Sequence, residues 1–154
     1  MTYIFPIFLQ LYGRNLDTAD LQDRMLAQNS VYILSELGLD LGGYGFSFGK
    51  NGPISCSLCM DIIESTPPDR KIDFSCDALK AIDRLKNVIS LAHKLQISPN
   101  KWLDLISSAM FVQKYIASSS SDREKVISIL EEKRPNLDRA YLKSAYEVSK
   151  SMIQ

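Results

Sequence analysis

GGYGFSFGKNGPISCSL, residues 42–58, decides how this chain is read, because a long amphipathic helix leads into it and a second helix starts from it. Tyr44, Phe46 and Phe48 alternate with Gly45 and Ser47, which is the period of a short strand and not of a helix. Gly52 and Pro53 mark a turn; Pro53 fits the first turn of a helix, and Ser55 can accept a hydrogen bond from a first-turn amide. The expectation is a β-hairpin or wing near residues 44–52, between the second and third helices. It forms a stiff elbow that displays Phe46 and Phe48 outward on one strand face, where rigid rings lose little side-chain freedom on docking.

Upstream, Tyr3 to Tyr12 is a short apolar segment that stops at Gly13. Asp17 or Thr18 can cap a longer helix running to about Gly38. In it Leu21, Met25, Gln28, Tyr32 and Leu37, with Ile33 and Leu34 beside them, form one buried stripe, and Asp20, Asp23 and Arg24 fall toward solvent or a rim. Downstream of the elbow, Leu58, Ile62 and Ile63 give a helix an apolar face ending near Ser65, before a surface connection at Pro67-Pro68. Ser75 caps a helix carrying Leu79, Ile82, Leu85, Ile89 and Ala92. Ser98-Pro99 starts another, with Trp102, Leu105, Ile106, Ala109, Met110 and Ile116 apolar over a wide arc. A loop at residues 118–121 precedes a capping box from Ser121 to Glu124 and a helix through Val126, Ile127 and Leu130, which breaks at Lys133-Arg134-Pro135. A last helix repeats Leu137, Tyr141, Val148 and Met152. The predicted fold is mainly α: a single compact domain, 1–154, of about six or seven helices with that short hairpin.

At 154 residues and 45% hydrophobic composition the chain can bury a substantial core without a metal or disulfide framework. Eighteen basic residues balance eighteen acidic ones, so no global field draws it to phosphate backbones or anionic lipid. The apolar N-terminal stretch lacks a basic leader and is too short to span a bilayer. Three cysteines do not suggest an extracellular disulfide scaffold, so reduced thiols in a cytoplasmic protein are expected.

Chemistry is thin. Cys56 and Cys59 form a C-x-x-C that would need Cys76 and His93 to complete a zinc set, and those two stand alone; small buried thiols are the simpler reading. His93, the only histidine, lies near a helix C-terminus, where it satisfies carbonyls more readily than it acts as a base. Gly49-Lys50 is followed by Asn51, not by the Ser or Thr of a phosphate-binding loop. No catalytic residue, metal site or cofactor is assigned, and the protein is read as no enzyme. Arg24, Lys50, Arg70 and Lys71 could gather around the wing and touch a phosphate backbone. The helix from Ser55 to Glu64 has no basic residue, however, so DNA binding by a winged-helix-like regulator is the alternative and is not favoured. Trp102 is read as core.

The layout Asp23-Arg24-x-x-x-Gln28-x-x-x-Tyr32-x-Leu34, Gly43-Tyr44-x-Phe46-Ser47, Gly52-Pro53-x-Ser55-x-x-Leu58-x-x-Asp61, with Trp102-Leu103-x-Leu105 and Lys133-Arg134-Pro135 downstream, resembles the small bacterial YwgA-type proteins. More distantly it is similar to the SocA-like or Panacea antitoxin domain. The resemblance implies a non-enzymatic, mostly helical domain of bacterial, prophage or mobile-element origin, some distant members of which bind toxins or deliver a partner for degradation. Asn29 stands where a lysine is usual, Ile54 where a tyrosine is usual and Cys56 where a proline is common.

The reading is a protein-interaction module, antitoxin-like or engaged in phage defence or regulation. The candidate partner-binding residues are Arg24, Gln28, Tyr32, Tyr44, Phe46, Phe48, Lys50, Gly52, Pro53 and Ser55, and Asp61 is expected to meet Arg24 or Lys50. The partner is a protein; no membrane is involved, and a homo-oligomer stays open.

Overall fold

The computed structural model describes residues 3–117 and 122–153. The chain is mainly α, with seven helices and one two-stranded antiparallel sheet among those residues. In order they are α1 (Ile4–Tyr12), α2 (Leu21–Glu36), β1 (Ser47–Gly49), β2 (Gly52–Ile54), α3 (Cys56–Glu64), α4 (Cys76–Leu95), α5 (Pro99–Phe111), α6 (Arg123–Lys133) and α7 (Arg139–Ile153). A π-helical turn, Val112–Ile116, continues α5. The buried apolar side chains form one cluster to which every helix contributes. No helix among the described residues is long and apolar enough to cross a membrane.

Local signals set most of the boundaries. Gly13 ends α1 in the left-handed region, its amide bonding the Leu9 carbonyl. Ser55, Ser75 and Ser98 cap α3, α4 and α5, each side chain accepting from an amide three residues on, and Pro99 takes the first position of α5. The capping-box serine, Ser121, and the run 118–121 lie outside the described residues; the cap of α6 is Asp122, which accepts from the Glu124 amide.

The start of α2 departs from expectation. Its cap is Asp20, not Asp17 or Thr18, because the loop before it is wrapped around Asp23. Arg14 Nη1 and Nη2 donate to the two Asp23 oxygens at 2.7 Å each, and the Asp17 amide donates to Oδ2 at 2.9 Å. Asp23 is therefore buried and not solvent-facing, while Leu21, assigned to the buried stripe, is exposed. The Arg14 hydrogen bond holds the Asp23 carboxyl below its usual range, against an opposing push from burial. A depressed folded-state value contributes stability that is present above the unfolded carboxylate pKa, about 3.9, and is lost as pH falls through the folded value. Asp23→Asn is expected to flatten the loss of stability below about pH 4 in denaturant titrations run across the acid range.

Beyond its first turn α2 is buried on nearly all sides, from Leu26 to Leu34, and α5 likewise from Leu105 to Phe111. The two pack against each other, and α5 also meets α4, α7 and β2. The Trp102 indole donates to the Val88 carbonyl at 2.8 Å from within this core. In α7 the buried side chains are Leu142, Ala145, Tyr146, Ser149 and Met152; Leu137, Tyr141 and Val148, expected in the stripe, are half-buried. Leu79, Ile63 and Ile116, also expected inside, are exposed.

The hairpin pairs Ser47 with Ile54, Phe48 with Pro53 and Gly49 with Gly52, around a Lys50-Asn51 turn. Pro53 thus belongs to β2 and not to the first turn of α3. Having no N–H to exchange, it fits only the non-hydrogen-bonded site opposite Phe48.

Candidate partner-binding site

The Gly-Pro-x-Ser turn is held from two helices at once. From α2, Gln28 Nε2 donates to the Ser55 carbonyl at 3.0 Å and the Ser55 amide donates to Gln28 Oε1 at 3.1 Å. This side-chain amide mimics a strand neighbour for a backbone that has left the sheet and not yet entered α3. Gln28→Ala leaves the buried Ser55 amide unpaired, while the Ser55 carbonyl keeps its bond from the Cys59 amide, and a loss of about 1 to 3 kcal/mol is expected in equilibrium urea unfolding.

From α5, Asp104 and Ser107 form with Asn29 of α2 a polar seat beneath Gly52. The Ser107 hydroxyl donates to Asn29 Oδ1 at 3.0 Å, and Arg134 grips Asp104 through Nε to Oδ2 at 2.8 Å and Nη2 to Oδ1 at 2.7 Å. Ser108 Oγ donates to Asp104 Oδ1 at 3.2 Å. Gly52 lies so close that a Cβ there would come within 2.8 Å of Asn29 Oδ1 and 2.9 Å of Asp104 Oδ1. Gly52, Pro53 and Ser55 are all buried, as is Gln28. These candidate binding residues fasten the hairpin to the helices instead of facing a partner.

The aromatic residues are corrected in the same direction. Phe46 and Phe48 lie half-buried against the core, not displayed outward. Phe46 meets the Tyr32 ring edge-on at 5.1 Å, and Phe48 lies 5.3 Å from Phe111, with the Lys133 and Arg134 cations each 5.9 Å from its ring centre.

Tyr32 is 1% exposed and its hydroxyl has no hydrogen-bond partner among the described residues. Burial is the main cause that raises its pKa, with the nearby Glu36 carboxylate adding to it. Because the orphan hydroxyl already bears its desolvation cost, Tyr32→Phe is expected to leave thermal stability unchanged or raise it by up to about 1 kcal/mol. Glu36 itself accepts from Lys114 Nζ at 2.7 Å and from the Tyr115 hydroxyl at 3.3 Å, both donors presented by the π-helical turn. Tyr44 is tied down as well, donating to Asp61 Oδ2 at 2.5 Å; burial first and that bond second push its pKa up to about 12. Asp61 therefore pairs with Tyr44 and not with Arg24 or Lys50. Arg24 donates to the Thr18 carbonyl at 2.9 Å, and Lys50 is exposed at the tip of the turn.

Beside this joint lies a groove of about 200 Å³ between the start of α2 and the hairpin. Leu21, Met25 and Gln28 form one side, and Lys50, Pro53 and Ile54 the other. Leu21 and Ile54 are exposed apolar side chains, at 57% and 44%. Sequence periodicity hid Leu21 by assigning it inward. It also passed over Asn29, Asp104, Ser107 and Arg134 as a unit, although polar Gln28-Asn29 and Ser107-Ser108 inside otherwise apolar helix faces were a signal of buried polar joints.

The thiols differ from the small buried groups expected: Cys56 and Cys76 are exposed and Cys59 is half-buried, all free. Among the described residues no group of three or more His, Cys, Asp or Glu is placed to hold a metal ion. Comparison with protein-family models, with curated proteins and with solved structures finds no match to this chain.

Proposed function

We propose that the protein is a non-enzymatic interaction module that receives a protein partner in the groove between α2 and the hairpin. The observation that carries this reading is the pair of exposed apolar lips, Leu21 and Ile54, on a wall made rigid by the Gln28–Ser55 clamp and the Gly52 seat. A groove of about 200 Å³ is smaller than the usual range for small-molecule sites, roughly 300–1,000 Å³, and suits one or two apolar side chains of a protein surface. Lys50 at its rim favours a partner that sets a carboxylate beside its apolar anchor. A toxin-neutralising, phage-defence or related regulatory setting is supported by the resemblance of the Gln28, Tyr32 and Gly52-Pro53-x-Ser55 layout alone.

The test is co-purification from the native host with the wild-type chain and with Leu21→Asp plus Ile54→Asp, followed by reconstitution with the purified partner. Both positions are exposed, so circular dichroism should be unchanged. The variant is expected to lose affinity by at least about tenfold; equal affinity would overturn the assignment of the groove.

A further inference from the structure

The third helix has apolar stripes on both faces. Leu58 and Ile62 are fully buried against the core, while Met60 and Ile63, 50% and 55% exposed, line the opposite face together with exposed Cys56. Steps of four and three from Cys56 to Met60 to Ile63 match the seam of a two-helix coiled coil, and a helix apolar on two faces is one with neighbours on two sides.

The charges of α3 point to what that second neighbour is. The helix has no acidic residue in its first turn and no basic residue in its last, where Asp61 and Glu64 stand instead. This is the reverse of what its own dipole favours. Asp61 is engaged by Tyr44, but Glu64 is exposed at the negative end of the helix. An antiparallel copy of the same helix corrects both ends at once, because each Glu64 then faces the amide-rich first turn of the other α3. We propose that the protein forms a symmetric homodimer through antiparallel packing of α3 on α3, with Met60 near the two-fold axis and Cys56 of each protomer facing the last turn of the other.

This contact goes beyond the partner reading and uses neither Leu21 nor Ile54, so the two can fail separately. A helix of nine residues offers a short seam, and the interface falls below about 1,200 Å² in total, the low end of specific interfaces, with dissociation in the micromolar range. Sedimentation velocity under reducing conditions, from low micromolar to several hundred micromolar protein, is expected to show a reversible monomer–dimer equilibrium. Met60→Asp plus Ile63→Asp, both at exposed positions, should abolish it while the circular dichroism spectrum is kept. Glu64→Gln should weaken the dimer by about 3- to 10-fold, since two symmetric charge–dipole contacts are lost. A wild-type chain that stays monomeric throughout, or a dimer that survives the double substitution, overturns the proposal. A dimer strengthened by Glu64→Gln overturns the antiparallel arrangement, because like charges would then have been facing each other.

Discussion

Gly52→Ala is expected to lower stability by about 4 kcal/mol, through two costs that add. The residue has φ +100°, a conformation in which an L side chain carries a cost of about 1 to 3 kcal/mol. The new methyl would also meet Asn29 Oδ1 at 2.8 Å and Asp104 Oδ1 at 2.9 Å. Neither oxygen can retreat cheaply, because Asn29 accepts from Ser107 and Asp104 is gripped by Arg134. Overpacking of this kind costs about 1 to 3 kcal/mol more. In a chain of this length the fall in Tm is about 10 °C. Gly45→Ala is the control: its Cβ meets nothing within 4 Å and its φ is not positive, so calorimetry should find it close to wild type. If the two variants melt together, the seat beneath Gly52 is not the joint described.

Arg134→Ala is expected to cost about 3 to 5 kcal/mol. The Arg134 and Asp104 side chains are 10% and 15% exposed, and the pair is bidentate, so truncating the arginine leaves a largely desolvated carboxylate with Ser108 as its remaining side-chain donor among the described residues. The cation over Phe48 goes with it. The companion measurement is a double-mutant cycle with Asp104→Ala. The double variant should be less destabilised than the two singles summed, by about 2 kcal/mol, since removing both charges removes the stranded one. Strict additivity would mean that the pair is solvated and of little consequence to the fold.

The fold was largely legible in the sequence because helix boundaries are local. Gly13, Ser55, Ser75, Ser98 and Pro99 each act within one turn of chain, and each does what its chemistry dictates. The two internal helices were harder to read. A single stripe describes a helix with one buried side, whereas α2 beyond its first turn and α5 are enclosed; in that first turn Asp23 and Leu21 exchanged their expected places because the preceding loop folds over Asp23. The site was legible as a motif and misread as a surface. Gln28, Gly52, Pro53 and Ser55 do belong together, but what unites them is a joint whose other half, Asn29, Asp104, Ser107 and Arg134, comes from α2, α5 and the end of α6. Spacing along the chain carries no record of that convergence. The rings of Phe46 and Phe48 turned inward for a related reason: alternation fixes that they share a face, and only Tyr32 and Phe111 decide which face it is.

The seat under Gly52 also governs when the molecule can finish folding. Asn29 and Ser107, which meet there, are 78 residues apart in the chain. During synthesis α2, the hairpin and α3 emerge well before α5 does, and loop closure over such a distance comes after local helices have formed. Until then Phe48 has no Phe111 to lie against, although Phe46 already has the Tyr32 ring of α2. That interval is when self-capture by other nascent copies is most dangerous, and when a chaperone has the most to grip.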